Sequence, residues 1–178
     1  AIAEDHSLSA GVVGSNGRRP YANALLEAAD LILYVGAKTD SVTTAGWSLP
    51  PLDTDQTILH LDVDPTEIGR NYPTAVGLVG DAKLGLLDLL AAVEVHDPQP
   101  RSNPLDAVAD EIDAFWADFE AAATESAVPI KPQRVIHTLA QLLPGESVIV
   151  ADAGTPTPHA AAYFRSQAGR QVIIPRGY

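Results

Sequence analysis

The stretch that decides the fold is ADLILYVGAKTD, residues 29–40, followed by TILHLDVDPTEIGRN, residues 57–71. Each begins with a short apolar run that ends beside a glycine or an aspartate, and a third run, AVGLV at residues 75–79, is followed by Gly80 and Asp81. Short apolar runs bounded by turn-forming residues predict strands of a buried parallel sheet. The carboxyl ends of such strands are expected to form a crevice of nucleotide size.

Helical patterns alternate with these strands. Residues 20–29 carry apolar side chains at near-helical spacing and begin on Pro20, which suits a first helical turn. Residues 82–93, AKLGLLDLLAAV, are apolar on most faces, as expected for a helix that packs on a sheet. This alternation predicts an α/β fold with a doubly wound, Rossmann-like parallel sheet.

A second, incomplete α/β unit is predicted further along the chain. Residues 96–104 hold three prolines in nine positions, which predicts a linker. Residues 105–126 are predicted to form an amphipathic helix whose acidic face is solvated, with a metal or cationic-partner site as the less favoured alternative. The predicted segments that follow are a helix at 135–143, a strand at 147–151, the loop DAGTPTP, a helix at 159–165 and a strand at 171–175.

Composition excludes several classes of function. The 178 residues include 11 basic and 23 acidic side chains, a formal charge of -12, so no nucleic-acid partner is expected. The chain has no cysteine, which excludes thiolate sites and fits a cytoplasmic location. No apolar run approaches 18 residues, so no membrane partner is expected either. The start on Ala1, the lack of methionine and the end on PRGY predict a piece of a longer protein.

Three glycines, Gly11, Gly14 and Gly17, follow the spacing G-x-x-G-x-x-G rather than the G-x-G-x-x-G of a conventional dinucleotide turn. They either let backbone N–H groups approach a ligand at the start of the next helix or form a plain turn. Arg18 and Arg19 beside them either contact phosphates or carry surface charge.

Acidic residues follow all three predicted strands, at Asp40, Asp62 and Asp81. Each could bind a ribose hydroxyl or cap the next helix, and three in series favour a binding crevice. Asp64, two positions after Asp62, is a further acid at the end of the second strand. Together with Glu67 in DPTE it also matches a helix entry of the capping-box type, and both roles are expected for this segment. The five histidines show no metal-ligand spacing; only the one after DAGTPTP, at position 159, is a weaker site candidate. No nucleophile elbow and no P-loop is present, so no catalytic residue and no metal ligand is predicted.

In this order and spacing, GVVGSNG-x-x-x-x-AN, ADL-x-L-x-VG-x-x-x-D, LDVDPTEIGRN and GDAKL resemble the central domain of thiamine diphosphate enzymes of the acetolactate synthase type. VIVADAG and VIIPRGY resemble the opening of their C-terminal cofactor domain. The resemblance implies a Rossmann-like, DHS-like nucleotide-binding central domain at 1–95, its first strand missing or truncated. Residues 96–130 would be a linker and connector helix, and 131–178 the start of the thiamine diphosphate-binding domain.

The resemblance also implies a parent enzyme that acts on 2-oxo acids by decarboxylation and carboligation. It would use thiamine diphosphate and Mg²⁺ and form a homodimer or homotetramer. The activating glutamate of the first domain and the GDG motif that binds magnesium are outside the chain, so the 178 residues alone are expected to be inactive. Two alternatives stay open: a stand-alone module that binds FAD, NAD(P) or ADP, and a non-catalytic oligomerisation segment.

Cofactor-binding residues are carried over from the resemblance. In the central domain they are Gly14, Ser15, Asn16, Gly36, Lys38, Asp40, Asp62 and Asp81, and in the cofactor domain they are Gly154, Thr155 and Thr157. Flavin-binding members tend to carry an arginine, a phenylalanine and paired acids where this chain has Lys38, Thr39, Asp40 and Ser41. FAD is therefore less favoured, and an ADP moiety or an empty crevice is an equal alternative.

Overall fold

The structure is a computed structural model that describes residues 2–96, 99, 102–167 and 171–174. By its internal contacts the chain divides into one unit of Leu26–Ser102 and another of Ala1–Leu25 with Asn103–Tyr178. The predicted domains at 1–95, 96–130 and 131–178 stay a prediction.

The helices are α1 Pro20–Ala28, α2 Ala82–Val95, α3 Ala109–Thr124, α4 Pro132–Leu142 and α5 Pro156–Tyr163, with a 3₁₀ turn at Pro104–Val108. The strands are β1 Leu31–Val35, β2 Thr57–Asp62, β3 Val76–Val79, β4 Val148–Val150 and β5 Gln171–Ile173.

The unit of Leu26–Ser102 contains a parallel three-stranded sheet in the order β1-β2-β3. The three predicted strands are confirmed, and the mixed α/β architecture with parallel strands is of the Rossmann-like type. Side chains alternate between the two faces of the sheet. One face carries a buried cluster of Ile32, Tyr34, Ile58 and Tyr72. On the other face a Cβ at Gly85 would lie 2.8 Å from a methyl of Leu61, so this glycine lets α2 approach β2 closely.

The predicted helix entry at DPTE is wrong, because residues 65–69 form a turn that is not followed by a helix. Asp64 accepts hydrogen bonds from the backbone N–H and the hydroxyl of Thr66, which satisfies it locally. Glu67 pairs with Arg70 at 2.9 Å, and Gly69 has φ +71°, a left-handed conformation that a helix cannot continue through.

The unit of Ala1–Leu25 with Asn103–Tyr178 pairs β4 with β5 in a second, parallel two-stranded sheet. This confirms the second α/β element predicted from the sequence. The buried side chains Ile136, Ala151, Ala160 and Phe164 form its apolar core. Aromatic rings add to it, with Phe119 stacked on Tyr163 at a centroid distance of 4.8 Å. The core therefore joins α3, α4, α5 and the end of the strand β4.

Two predicted helix starts are too late in the chain. The helix α4 begins at Pro132 rather than Val135, and α5 begins at Pro156 rather than His159. Both begin on a proline, whose fixed φ suits a first helical turn. The predicted helix at 105–126 is present as the 3₁₀ turn and α3. Its acidic side chains are exposed, as predicted, at positions 106, 110, 113, 118 and 120.

Part of the predicted linker, at 97, 98, 100 and 101, lies outside the described residues, as does the end of the predicted strand at 175. None of the helices formed by the described residues has the length and apolarity needed to cross a membrane.

Candidate functional site

A crevice of about 440 Å³ lies at the carboxyl ends of β1, β2 and β3 in the unit of Leu26–Ser102. Parallel strands end at the same edge of a sheet, which is why the residues that follow them meet there. Its lining residues are Gly36, Lys38, Asp62, Val63, Asp64, Glu67, Asp81 and Ala82. The crevice thus brings together four of the predicted ligand-binding residues, Gly36, Lys38, Asp62 and Asp81.

Asp40, the remaining predicted residue of this unit, does not line the crevice. Its carboxylate accepts hydrogen bonds from the backbone N–H groups of Val42 at 3.0 Å and Thr43 at 2.8 Å. The side chain therefore holds the turn that follows β1. The bonds resemble those of the helix-capping alternative that the sequence left open, but residues 41–47 form a turn and not a helix.

The two crevice aspartates also have backbone partners. Asp62 Oδ1 accepts from the N–H of Asp64 at 2.9 Å, and Asp81 Oδ1 accepts from the N–H of Leu84 at 3.0 Å, which caps α2. In both cases the backbone N–H bonds to Oδ1, and a carboxylate can accept further hydrogen bonds from a ligand. Bonding to the backbone and binding a ligand are thus compatible at these positions.

Positive charge reaches the crevice through Lys38. Its side chain is 72% exposed, and its Nζ lies 3.9 Å from Oε1 of the buried Glu67. Hydrogen bonds from Thr66 lower the pKa of the Asp64 carboxyl, and the charges of Lys38 and Arg70 add to this effect. An anionic ligand would therefore contact the exposed ammonium of Lys38, which lies beside the buried carboxylate of Glu67.

Glu67 was not predicted as a crevice residue. Asp64 was predicted both as an acid at the end of a strand and as a helix cap, and only the first of these roles agrees with its place in the crevice. Asn71 does not line the crevice, but its Nδ2 donates to the backbone O of Thr39 at 2.8 Å and so joins the loop after β2 to the loop after β1. The same carbonyl accepts from Nε1 of Trp47 at 3.1 Å. No local pattern in the sequence predicts these tertiary bonds.

The glycine-spaced segment belongs to the other unit. Asn23 Oδ1 accepts from the N–H of Gly14 at 2.9 Å, and Asn23 Nδ2 donates to the O of Gly14 at 3.1 Å. Gly17 has φ +77°, and a Cβ there would lie 2.4 Å from the Cβ of Ala161. Ser15 and Asn16 are exposed. The segment is therefore a turn held by side-chain bonds and by close packing on α5.

Arg19 has neither of its two predicted roles. It is 3% exposed, pairs with Glu4, and donates from Nε to the O of Ala162 at 3.1 Å. Its guanidinium also lies over the ring of Trp116, 5.1 Å from the centroid. Arg18 is exposed. The arginine that looked available for phosphate is a buried packing residue.

A larger cavity, of about 830 Å³, lies within the unit of Ala1–Leu25 with Asn103–Tyr178. Asn16 and Thr157, two predicted residues far apart in sequence, both line it. Thr157 is buried, and its hydroxyl donates to the O of Asp152 at 2.7 Å. Gly154 and Thr155 are exposed, and Thr155 lines a separate apolar groove of about 490 Å³ that His159 also contacts.

These residues do not form a complete site for thiamine diphosphate and a metal. The sequence contains no GDG motif. Thr157, a predicted cofactor ligand, already donates its hydroxyl proton to the backbone O of Asp152. Among the residues that the structure describes, no three of His, Cys, Asp or Glu are grouped to hold a metal ion.

Comparison with known proteins identifies the family. Residues 1–90, half of the chain, match the family described as thiamine pyrophosphate enzyme, central domain. The chain belongs to the thiamine pyrophosphate enzymes. The resemblance carried by LDVDPTEIGRN is thereby confirmed, and the crevice lies within the matched central domain.

Similarity to individual thiamine pyrophosphate enzymes extends beyond residue 90. The chain is 31% identical over 183 residues to the acetolactate synthase isozyme 3 large subunit of Escherichia coli, covering 97% of this chain and 30% of that protein. It is 30% identical over 176 residues to the putative thiamine pyrophosphate-containing protein YdaP of Bacillus subtilis, covering 97% and 28%. A probable acetolactate synthase large subunit of Methanococcus aeolicus is 26% identical, covering 99% and 31%. The chain thus spans about three tenths of the length of these relatives.

Proposed function

We propose that this chain is part of a thiamine diphosphate- and Mg²⁺-dependent enzyme that decarboxylates 2-oxo acids and joins the product to a second carbonyl compound. The observation that carries the proposal is the match to acetolactate synthase large subunits along nearly the whole chain, through α3 and on to β5. Within such an enzyme the central domain provides structure and a binding crevice, while the cofactor provides the bond-breaking chemistry. We place the enzyme in the cytoplasm as a homodimer or homotetramer.

Residues 1–178 by themselves are proposed to be inactive. They contain neither a grouped metal site among the described residues nor a GDG motif. Activity would require the remaining parts of a polypeptide with the length of the relatives. The proposal therefore makes different predictions for the chain alone and for the longer protein.

The test compares the two proteins with pyruvate, thiamine diphosphate and Mg²⁺. The longer protein is expected to convert two pyruvate molecules into acetolactate and one CO₂, and residues 1–178 are expected to convert none. Omitting thiamine diphosphate is the control and should abolish turnover. A longer protein that binds thiamine diphosphate but releases no CO₂ from pyruvate or 2-oxobutyrate would refute the proposal.

We further propose that the crevice binds the ADP moiety of a nucleotide. Lys38 offers an exposed ammonium for a phosphate, and Asp62 offers a carboxylate for ribose hydroxyls at a strand end. A volume of about 440 Å³ falls within the range of small-ligand sites. ADP is favoured over FAD because Lys38, Thr39, Asp40 and Ser41 depart from the flavin-binding pattern.

Calorimetric titration of the chain with ADP, FAD and NAD⁺ tests this second proposal. ADP is expected to bind, and Lys38→Ala is expected to weaken ADP by about tenfold, because a charge-assisted bond to phosphate is lost. Lys83→Ala is the matched control, since Lys83 is exposed on α2 and does not line the crevice. Absence of binding by all three ligands at millimolar concentration would refute the nucleotide-binding proposal, and the non-catalytic oligomerisation alternative would additionally require a stable multimer.

A further inference from the structure

His60 places a polar nitrogen atom in the interior of the sheet. The residue lies in β2, paired in register with Tyr34 of β1 and Gly77 of β3, and is 2% exposed. Within the part of the chain that the structure describes, its Nε2 has no hydrogen-bond partner. Since buried polar groups are nearly always hydrogen-bonded, this exception requires a physical explanation.

The atom that Nε2 faces belongs to the crevice. Asp62 Oδ2 lies 4.0 Å from His60 Nε2, and Asp62 is itself 8% exposed. The two residues are two positions apart in one strand, so their side chains project from the same face of the sheet. Because Oδ1 of Asp62 is bonded to the N–H of Asp64, Oδ2 is the oxygen left to interact with the imidazole.

We propose that His60 is a positioning residue for the crevice, directing its Nε2–H at Asp62 Oδ2 and so orienting the carboxylate toward the hydroxyls of a bound ribose. The role rests on the nucleotide-binding proposal made above. At 4.0 Å the contact is longer than a hydrogen bond, so in the free protein it is an attraction between a carboxylate and an N–H dipole. A small rotation of the carboxylate, or one bridging water, would complete the bond when the ligand binds.

The proposal fixes the tautomer of His60. A neutral imidazole carries its proton on one of two nitrogens, and a carboxylate beside Nε2 favours the proton there. Long-range ¹H–¹⁵N correlation spectra of the ligand-free chain distinguish the two forms. The Nε2–H tautomer is expected, and an Nδ1–H tautomer would overturn the proposal without any ligand being present.

Binding measurements with ADP supply the second test. His60→Phe is expected to weaken ADP binding by about fivefold, the loss of one modest hydrogen bond, whereas His60→Gln should stay within about twofold because its amide N–H can replace Nε2–H. The matched control is Ile58→Val, which perturbs the same face of β2 without removing an N–H group. With 2′,3′-dideoxy-ADP, which lacks the hydroxyls, the difference between wild type and His60→Phe should disappear.

The outcomes separate the two proposals. Wild-type chain that fails to bind ADP would overturn the nucleotide-binding function and with it this role of His60. Normal ADP affinity in His60→Phe, or the same loss with dideoxy-ADP as with ADP, would overturn the role of His60 alone. If His60→Phe does not fold, the tautomer of His60 in the wild-type chain decides.

Discussion

At the scale of single residues, Arg18 and Arg19 show how neighbours in sequence acquire opposite roles. Arg19 is buried and has an ion pair, a backbone hydrogen bond and an aromatic ring as partners, whereas Arg18 is exposed. A buried ion pair adds little net stability when intact, but removing one partner leaves an unpaired buried charge. The loss of stability on removing Arg19 therefore depends on the ion pair that its guanidinium forms with Glu4.

Arg19→Ala is expected to lower the free energy of unfolding by about 3 kcal/mol, because the buried guanidinium packing is lost and Glu4, whose side chain is 11% exposed, loses its cationic partner. Arg18→Ala is the matched control and should change it by less than about 0.5 kcal/mol. Urea denaturation followed by circular dichroism measures both. Equal effects of the two substitutions would contradict the assignment of Arg19 as a buried packing residue.

Ionisation of the Tyr34 hydroxyl makes the free energy of unfolding depend on pH in the alkaline range. Burial, with a smaller contribution from Tyr72, raises the pKa of Tyr34 to about 12, against about 10 in an unfolded chain. Between these values the folded state keeps a proton that the unfolded state has lost. Stability is therefore fully present below pH 10 and falls as the pH rises toward 12.

Tyr34→Phe should reduce this alkaline loss, which is measured by urea denaturation at pH 8 and pH 11. Among the described residues the Tyr34 hydroxyl has no hydrogen-bond partner, so its removal at pH 8 should leave stability unchanged or raise it by up to about 1 kcal/mol. A decrease of more than about 1 kcal/mol at pH 8 would mean that the hydroxyl has a partner, such as an internal water.

At the scale of elements, the helix α2 depends on Asp81 for its start. Asp81 is the N-cap, with extended backbone angles and a side chain that accepts from the N–H of Leu84. This bond satisfies one of the backbone donors that a helix leaves unpaired at its first turn. The first turn of α2 has no other acidic residue to interact with the helix dipole.

Asp81→Ala is expected to lower the free energy of unfolding by about 1 kcal/mol through loss of the cap. Asp88→Ala removes the same charge from an exposed position inside α2 and should have an effect close to zero. Thermal denaturation of the two variants beside wild type measures the difference. If Asp88→Ala lowers the free energy of unfolding as much as Asp81→Ala does, the loss of negative charge and not the loss of the cap explains the effect.

The sequence predicted the strands of the first sheet more accurately than it predicted the segment DPTE. The strands β1, β2 and β3 were predicted closely, because strands of a buried parallel sheet need continuous apolar runs. The prediction of a helix entry at DPTE was wrong because a short-range hydrogen bond from the Thr66 N–H to the Asp64 carboxylate satisfies the aspartate in a turn as well as in a helix.

At the scale of the whole molecule, net charge is the dominant feature. The formal charge is -12 with a sequence pI near 4.6. Like charges repel one another more in the compact folded state than in the expanded unfolded chain, and salt screens this repulsion. The charge is therefore a source of instability that ionic strength can relieve.

Raising NaCl from about 20 mM to about 200 mM is expected to raise Tm by a few degrees, as measured by differential scanning calorimetry. The comparison variant is Asp113→Lys, on the exposed acidic face of α3, which changes the formal charge from -12 to -10. It should have a higher Tm at low salt and a smaller response to salt. A Tm that falls with NaCl would show that favourable ion pairs outweigh the repulsion.

The sequence by itself determined the family, the parallel α/β architecture and the position of the crevice, because strand runs and the residues that follow them are local patterns. Tertiary structure alone decided which of those residues face the crevice: Lys38, Asp62 and Asp81 do, whereas Asp40 holds a turn. It also decided that Arg19 is buried and that His60 faces Asp62. Burial and pairing depend on segments far apart in sequence, so no local pattern contains them.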